Sequence, residues 1–181
     1  MGAAGSLPLI RDAEPGDLPA ILRITNDAIE NTDALWITTP FTPEQRHQWF
    51  EDRVAQGYPV LVAVDPDGVV AGYGSYGSFR SYEGYARTVE HSVYVAPDYQ
   101  RRGIGRLLLR ALIGHAKAAG FHVMVAGITA GNAASVAMHC ELGFQDCGTL
   151  PQVGRKRGRW LDLLFMTLRL DDIHTVEKDF S

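Results

Sequence analysis

Residues 93–108, Val-Tyr-Val-Ala-Pro-Asp-Tyr-Gln-Arg-Arg-Gly-Ile-Gly-Arg-Leu-Leu, carry a strand into a glycine-bearing turn and out into a helix. Gly103 and Gly105 let the backbone approach a ligand closely. The first amides of the helix that follows have no intrahelical acceptor, so they point at whatever lies beyond its N-terminus. A diphosphate suits that position. Arg101, Arg102 and Arg106 add positive charge where a helix N-terminus otherwise favours acidic residues. No Lys-Ser/Thr pair follows the glycines, and neither a third glycine nor a downstream acid on a following strand is present, so neither nucleotide-binding fingerprint fits. Taken alone, the two glycines also suit an ordinary strand-to-helix turn with a solvated basic face.

Outward from this turn, strand and helix patterns alternate. Residues 105–119 read as a helix stopped by Gly120, 122–128 as a strand, and 133–142 as a short helix closed by Gly143. Two further β-rich pieces follow, at 144–150 and 161–170. On the N-terminal side, 88–95 is a strand preceded by the irregular stretch 77–87. Before it, 59–64 and 69–76 form a hairpin across Asp65-Pro66-Asp67-Gly68. Thr42 as N-cap, Pro43, Gln45 and Gly57 bracket a helix. Residues 17–29 carry apolar side chains at helical spacing, and 7–11 form a first strand. This order predicts a mixed α/β (α+β) sheet rather than a fully parallel one.

With 181 residues, 46% of them hydrophobic, the chain suffices for one domain and a sizeable core, with 1–6 and 171–181 as tails. Its apolar runs fall short of the ~20 residues that span a bilayer. The N-terminus has no basic segment followed by an apolar core, so the cytoplasm is the expected compartment. Cys140 and Cys147 belong to no metal-like array, which leaves no metal and two ordinary buried thiols. A net charge of −4 gives no general attraction for nucleic acid. The basic run Gly-Arg-Lys-Arg-Gly-Arg at 154–159 reads as a solvated hairpin that could also hold an anionic group.

The segment Gln100-Arg101-Arg102-Gly103-Ile104-Gly105 matches the Q/R-x-x-G-x-G/A signature of the GNAT superfamily of N-acetyltransferases. The resemblance extends from Ile10-Arg11-Asp12-Ala13 through Asn132 to Leu142-Gly143-Phe144. It implies a mostly antiparallel central sheet flanked by helices and splayed at an acetyl-CoA site. There the backbones of Val93, Tyr94 and Val95 face pantetheine and the thioester. The turn Arg101, Arg102, Gly103, Ile104, Gly105 and Arg106 holds the pyrophosphate, and Asn132 bonds the pantetheine arm beside Ser135. Residues 72–85, 88–95, 131–135, His139 before Leu142-Gly143-Phe144, and 158–166 further resemble the phosphinothricin and methionine sulfoximine acetyltransferases. That subfamily implies a small amine substrate and a homodimer.

Alternation along 88–95 places Thr88, Glu90, Ser92 and Tyr94 on one face and Val89, His91, Val93 and Val95 on the other. Glu90, a carboxylate inside a strand, is the candidate base. It lies ~10 Å along the strand from Val93, within reach of the amine directly or through one water. His91 reads as a packed core histidine that a bulge could turn toward the pocket. His139 stands where many GNAT enzymes carry a tyrosine, and it can serve as acid, relay or substrate contact. Phe79, Arg80, Ser81 and Tyr82 offer a guanidinium and aromatic surface to a carboxylate or phosphinate, with 34–38 as a second wall. Competing readings are an acetyltransferase for protein N-termini or polyamines, and an acyl-CoA-binding module without turnover.

Overall fold

Two glycines in β3 (Val70–Ser78) let a helix lie almost on the backbone of the sheet. A Cβ on Gly72 would stand 3.3 Å from Leu108 Cδ1, and one on Gly74 3.0 Å from Leu112 Cδ1. Both leucines belong to α3 (Ile104–Ala118), whose Leu108, Leu109, Leu112 and Ala116 are completely buried. The computed structural model describes residues 7–170, so both expected tails lie outside the described residues.

The remaining strands are β1 (Leu9–Asp12), β2 (Val60–Val64), β4 (Thr88–Val95), β5 (Val123–Thr129), β6 (Gln145–Lys156) and β7 (Arg159–Arg169). They form one seven-stranded sheet in the order β1-β2-β3-β4-β5-β7-β6. Every pairing is antiparallel except β4–β5. α3 and α4 (Ala133–Glu141) cover one face, where Tyr76, Val89, Met124, Ala126 and Phe144 join the core. On the other face α1 (Leu18–Asn31) sets Leu18, Ile21 and Ile24 against Val60, Val62 and Tyr73, with Trp49 and Phe50 of α2 (Pro43–Ala55) alongside.

The parallel ladder between β4 and β5 joins Thr88, Val89 and Glu90 to Val123, Met124 and Val125 and ends there. Beyond it β4 continues to Val95 paired with β3, and β5 continues to Thr129 paired with β7. The sheet therefore opens between its two central strands.

The helix bracketed by Thr42 and Gly57 forms as its end signals predict. Thr42 and Gln45 make the reciprocal capping box. At the other end Gly57, at φ 73°, lets Tyr58 N–H reach Arg53 O and Gly57 N–H reach Val54 O, the paired bonds of a Schellman stop.

Three expectations need correction. β6 runs to Lys156 instead of ending near residue 150, because its register shifts between Leu150 and Gly154 absorb Pro151 and the positive φ of Gln152. The basic run at 154–159 forms the β6–β7 hairpin with Arg155, Arg157 and Arg159 exposed, as expected, but Lys156 is not solvated. Lys156 is buried and donates to Thr32 O at 2.7 Å and Leu35 O at 2.5 Å, while Arg157 reaches Glu30 O and Arg159 pairs with Asp33. These cations sit at the C-terminal end of α1, where carbonyls lack partners and the helix dipole favours positive charge. Finally, Cys140 and Cys147 are exposed rather than buried.

The same clamp fixes the loop that follows α1. Trp36 Nε1 donates to Thr129 Oγ1 at 2.8 Å and to Asp33 O at 3.0 Å, and its ring fills the space above Gly154. Replacing Lys156 with alanine removes two charge-assisted hydrogen bonds and leaves carbonyls buried. A loss of about 2–3 kcal/mol is expected, read as a fall of about 4–10 °C in Tm by calorimetry.

Candidate active site

The parting of β4 and β5 makes a cavity of about 370 Å³ that passes through the sheet. Pleated strands turn alternate side chains to opposite faces, so a gap between them is lined from both. From the α1–α2 face come Arg53, Gly77, Glu90 and the loop residues Ala34 and Leu35. From the α3–α4 face come His91, Val93, Met138 and His139, with Asn132 and Ser135 at the rim.

On the α3 side, the predicted turn has the geometry of an anion site. Arg101 and Gly103 adopt left-handed backbone, at φ 61° and 79°, and no side chain caps the N-terminus of α3. Gly105 faces Met138 and Val95 across a space that an added Cβ would fill to van der Waals contact. Arg101 and Arg102 are exposed beside the turn, Arg102 lying over the Tyr99 ring, whereas Arg106 is paired with Glu141 of α4. The side chain of Ile104 is buried in the core, which leaves its backbone amide to serve a ligand. Asn132 caps α4 by accepting from Ser135 N–H at 3.1 Å. Uncapped amides, an unladdered strand edge along Val93, Tyr94 and Val95, and local positive charge fit a long anionic thioester such as acetyl-CoA. Among the described residues no cluster of His, Cys, Asp and Glu could hold a metal.

Glu90 is half-buried and leans over β5, with Oε1 3.1 Å from where a Cβ on Gly127 would be. Burial raises its carboxyl above the ordinary range, and the nearby charge of Arg80 opposes that rise in part. This makes Glu90 a stronger base than a solvated carboxylate.

His91 reaches the cavity without any bulge, since the β3–β4 register is continuous and the gap is open to both faces. It stacks on His139 with ring centroids 5.1 Å apart, and Phe144 meets both rings edge-on. The hydrogen bonds fix the tautomers. His139 Nδ1 lies 2.7 Å from Ser135 O, which can only accept, so Nδ1 carries the proton and Nε2 has the lone pair. His91 Nε2, 3.1 Å away, then donates to it, leaving His91 Nδ1 as a buried acceptor without a partner. Burial, reinforced by the adjacent His139, pushes His91 down to about 3, and burial also lowers His139 against the pull of Ser135. Both rings are neutral at physiological pH.

The substrate loop is only partly at the cavity. Phe79 packs edge-on against Phe165 and Tyr85, and Arg80 lies over the Phe79 ring at 5.0 Å, outside the lining but close enough for its charge to act on Glu90. Ser81 and Tyr82 are exposed and do not line the cavity; the latter is 75% accessible. The wall from 34–38 is supplied within the same chain by Ala34 and Leu35.

Arg53, absent from the sequence-derived candidates, enters the cavity from the last turn of α2. Its guanidinium takes the place of a Gly77 side chain, with one nitrogen 1.6 Å from the position a Cβ would occupy. In the sequence it is one arginine near a helix C-terminus, a common place for a solvated cation. The only hint is Gly77, which reads as a loop glycine yet lies inside β3.

A mixed sheet that parts beside an uncapped helix N-terminus, with a desolvated carboxylate across the gap, defines an acyl-transfer site for an anionic thioester and an amine. Residues 21–144 match the Acetyltransferase (GNAT) family, and the chain belongs to it. It is 57% identical over 162 residues to the L-methionine sulfoximine/L-methionine sulfone acetyltransferase of Pseudomonas aeruginosa, covering 90% of this chain and 94% of that one. A crystal structure described as the ribosomal-protein-alanine N-acetyltransferase of Brucella melitensis superposes with a TM-score of 0.87 at 56% identity, over 89% of this chain and 99% of the other. A phosphinothricin acetyltransferase from Sinorhizobium meliloti in complex with AcCoA gives a TM-score of 0.88 at 36% identity, over 91% and 89% of the two chains. The protein is an N-acetyltransferase that uses acetyl-CoA.

The buried histidine pair has a consequence for stability. An unfolded histidine titrates near 6.5, whereas the folded pair resists protonation, so the unfolded chain binds more protons as pH falls. The contribution of the pair is complete above that pH and declines below it. Thermal melts should therefore show Tm falling from pH 7 to pH 5, with a flatter dependence in the His91→Gln, His139→Gln double variant.

Proposed function

We propose that this enzyme, a single domain acting in the cytoplasm, acetylates the free α-amine of small amino-acid analogues such as methionine sulfoximine, methionine sulfone and phosphinothricin. The observation that carries the reading is the half-buried Glu90, which shares with the Arg53 guanidinium a cavity too small for a folded partner, with the charge of Arg80 acting on it from outside. An ammonium meets a carboxylate there, and an acid group meets an arginine.

Acetyl-CoA, when bound, supplies the acetyl group as a thioester. Glu90 accepts a proton from the amine, whose ordinary pKa near ~8 leaves ~10% neutral at pH 7. The amine nitrogen then bonds to the acyl carbon and loses a further proton as it becomes an amide, the carbon–sulfur bond breaks, and the departing thiolate takes up a proton. Backbone N–H groups on the unladdered edge of β4 are available to the acyl oxygen as it gains charge. His139 has both ring nitrogens engaged, so it acts with His91 as a positioning residue that shapes the cleft from the α4 side. The exposed Leu150, Val153 and Trp160 on β6 and β7 support a homodimer that covers this edge, a state that sedimentation would reveal.

The name of the Brucella relative favours a second reading, acetylation of a protein N-terminus. CoA release with acetyl-CoA and each of methionine sulfoximine, methionine sulfone, phosphinothricin, spermidine and an alanine-led peptide separates the two. Saturable turnover confined to the first three supports the proposal, and preference for the peptide or spermidine overturns the substrate assignment. Glu90→Gln should lower kcat about 10²- to 10⁴-fold on the preferred amine. It should also abolish the acid limb of the kcat profile, which lies above the ordinary carboxylate range because of burial.

A further inference from the structure

Arg53 is a cation in an unusual setting. Its guanidinium is half-buried, its pKa is lowered chiefly by burial, and its nearest aromatic partner is the Tyr58 ring at 5.7 Å. Among the described residues no carboxylate forms an ion pair with it. Desolvating a charge without a partner is costly, and a bound carboxylate would supply the missing partner. The Schellman stop of α2 and the missing side chain at Gly77 both serve to hold it there.

The sheet register places this cation relative to Glu90. Gly77 of β3 is the direct partner of Glu90 in β4, so both face the same side of the sheet. Arg53 lies over β3 at Gly77, whereas Glu90 leans the other way, over β5 at Gly127. The two charges thus stand roughly two strand spacings apart, about 9–10 Å, across the cavity. An α-amino acid bridges a similar span, about 8–9 Å from carboxylate to guanidinium when its ammonium and its carboxylate each make one ionic hydrogen bond.

We infer that Arg53, seated on Gly77, is the residue that binds the α-carboxylate of the acceptor and so selects free amino acids over amines and peptide N-termini that lack one. The inference rests on the amino-acid reading above. Arg46 and Arg80 do not meet the same requirements. Arg46 is buried with its Nε unpartnered, but it sits between the Phe41 and Trp49 rings and lines a smaller adjoining cavity that Glu90 does not reach, and Arg80 is exposed outside the lining.

The test compares methionine sulfone with its decarboxylated analogue, 3-(methylsulfonyl)propylamine, as acceptors, and reads the ratio of their kcat/KM values. The wild-type enzyme should prefer the amino acid. Arg53→Gln should reduce that ratio about 10- to 100-fold, mainly through KM for methionine sulfone, and Arg53→Lys should fall between. Gly77→Ala gives an independent check, because its methyl group claims the guanidinium position while the flexible arginine can swing aside, so it should lower the ratio in the same way. An unchanged ratio in Arg53→Gln and Gly77→Ala, or an equal loss on both acceptors, overturns the inference while leaving the acetylation of amino acids intact. A wild-type enzyme that turns over the two acceptors equally, or prefers the amine, overturns the amino-acid reading itself.

Discussion

The arrangement depends on a ladder that stops. Among the described residues β4 and β5 are the only parallel pair in the sheet, and their pairing ends at Glu90. Were it to continue, the backbone groups of residues 91–95 would be satisfied by β5, and no opening would exist between Val93 and Gly127. Because it ends, an unladdered strand edge, the carboxylate of Glu90 and the imidazole of His91 all reach the same space, although the two side chains leave opposite faces of the strand. The glycines of β3 contribute from below. They draw α3 against the sheet, and α3 begins where β4 ends, so the anion-binding turn is carried to the mouth of the opening.

Local chemistry made much of this legible. The capping box and glycine stop of α2, the Asp-Pro-Asp-Gly hairpin and the strand over Thr88–Val95 each have a mechanism that operates within a few residues, and each forms as expected. The Gly103–Gly105 turn was readable for the same reason. What local pattern could not give is where distant elements meet. Lys156 looks like a surface charge until the end of α1 is brought under it, and the strand read over 144–150 runs on to Lys156 through a register shift. Arg53 is the sharpest case. Its role depends on a glycine 24 positions later that gives up its side-chain volume, and on the register that pairs that glycine with Glu90. Alternation correctly assigned His91 to the face opposite Glu90, but the bulge that could have turned it toward the pocket is absent, because the opening in the sheet already brings it there.

The ionisable groups around the opening share one treatment. Burial raises the carboxyl of Glu90 and lowers the imidazoles of His91 and His139. Each shift works against the charged form of its group. An amine entering such a space is pressed toward its own neutral, nucleophilic form by the same desolvation. Proton removal and substrate positioning are thus aided by one physical property of the site.

The cleft also has two mouths, one on each face of the sheet. The α3–α4 mouth is shaped by Met138 and His139, while the α1–α2 mouth is shaped by Arg53, Gly77 and the loop carrying Ala34 and Leu35. These sets share no secondary-structure element beyond the central strands. Donor and acceptor selectivity can consequently drift apart in evolution, since a mutation that remodels one mouth leaves the other standing. The sheet behaves as a partition with interchangeable fittings on either side, a design in which new acceptors can be acquired without relearning how to hold the acyl donor.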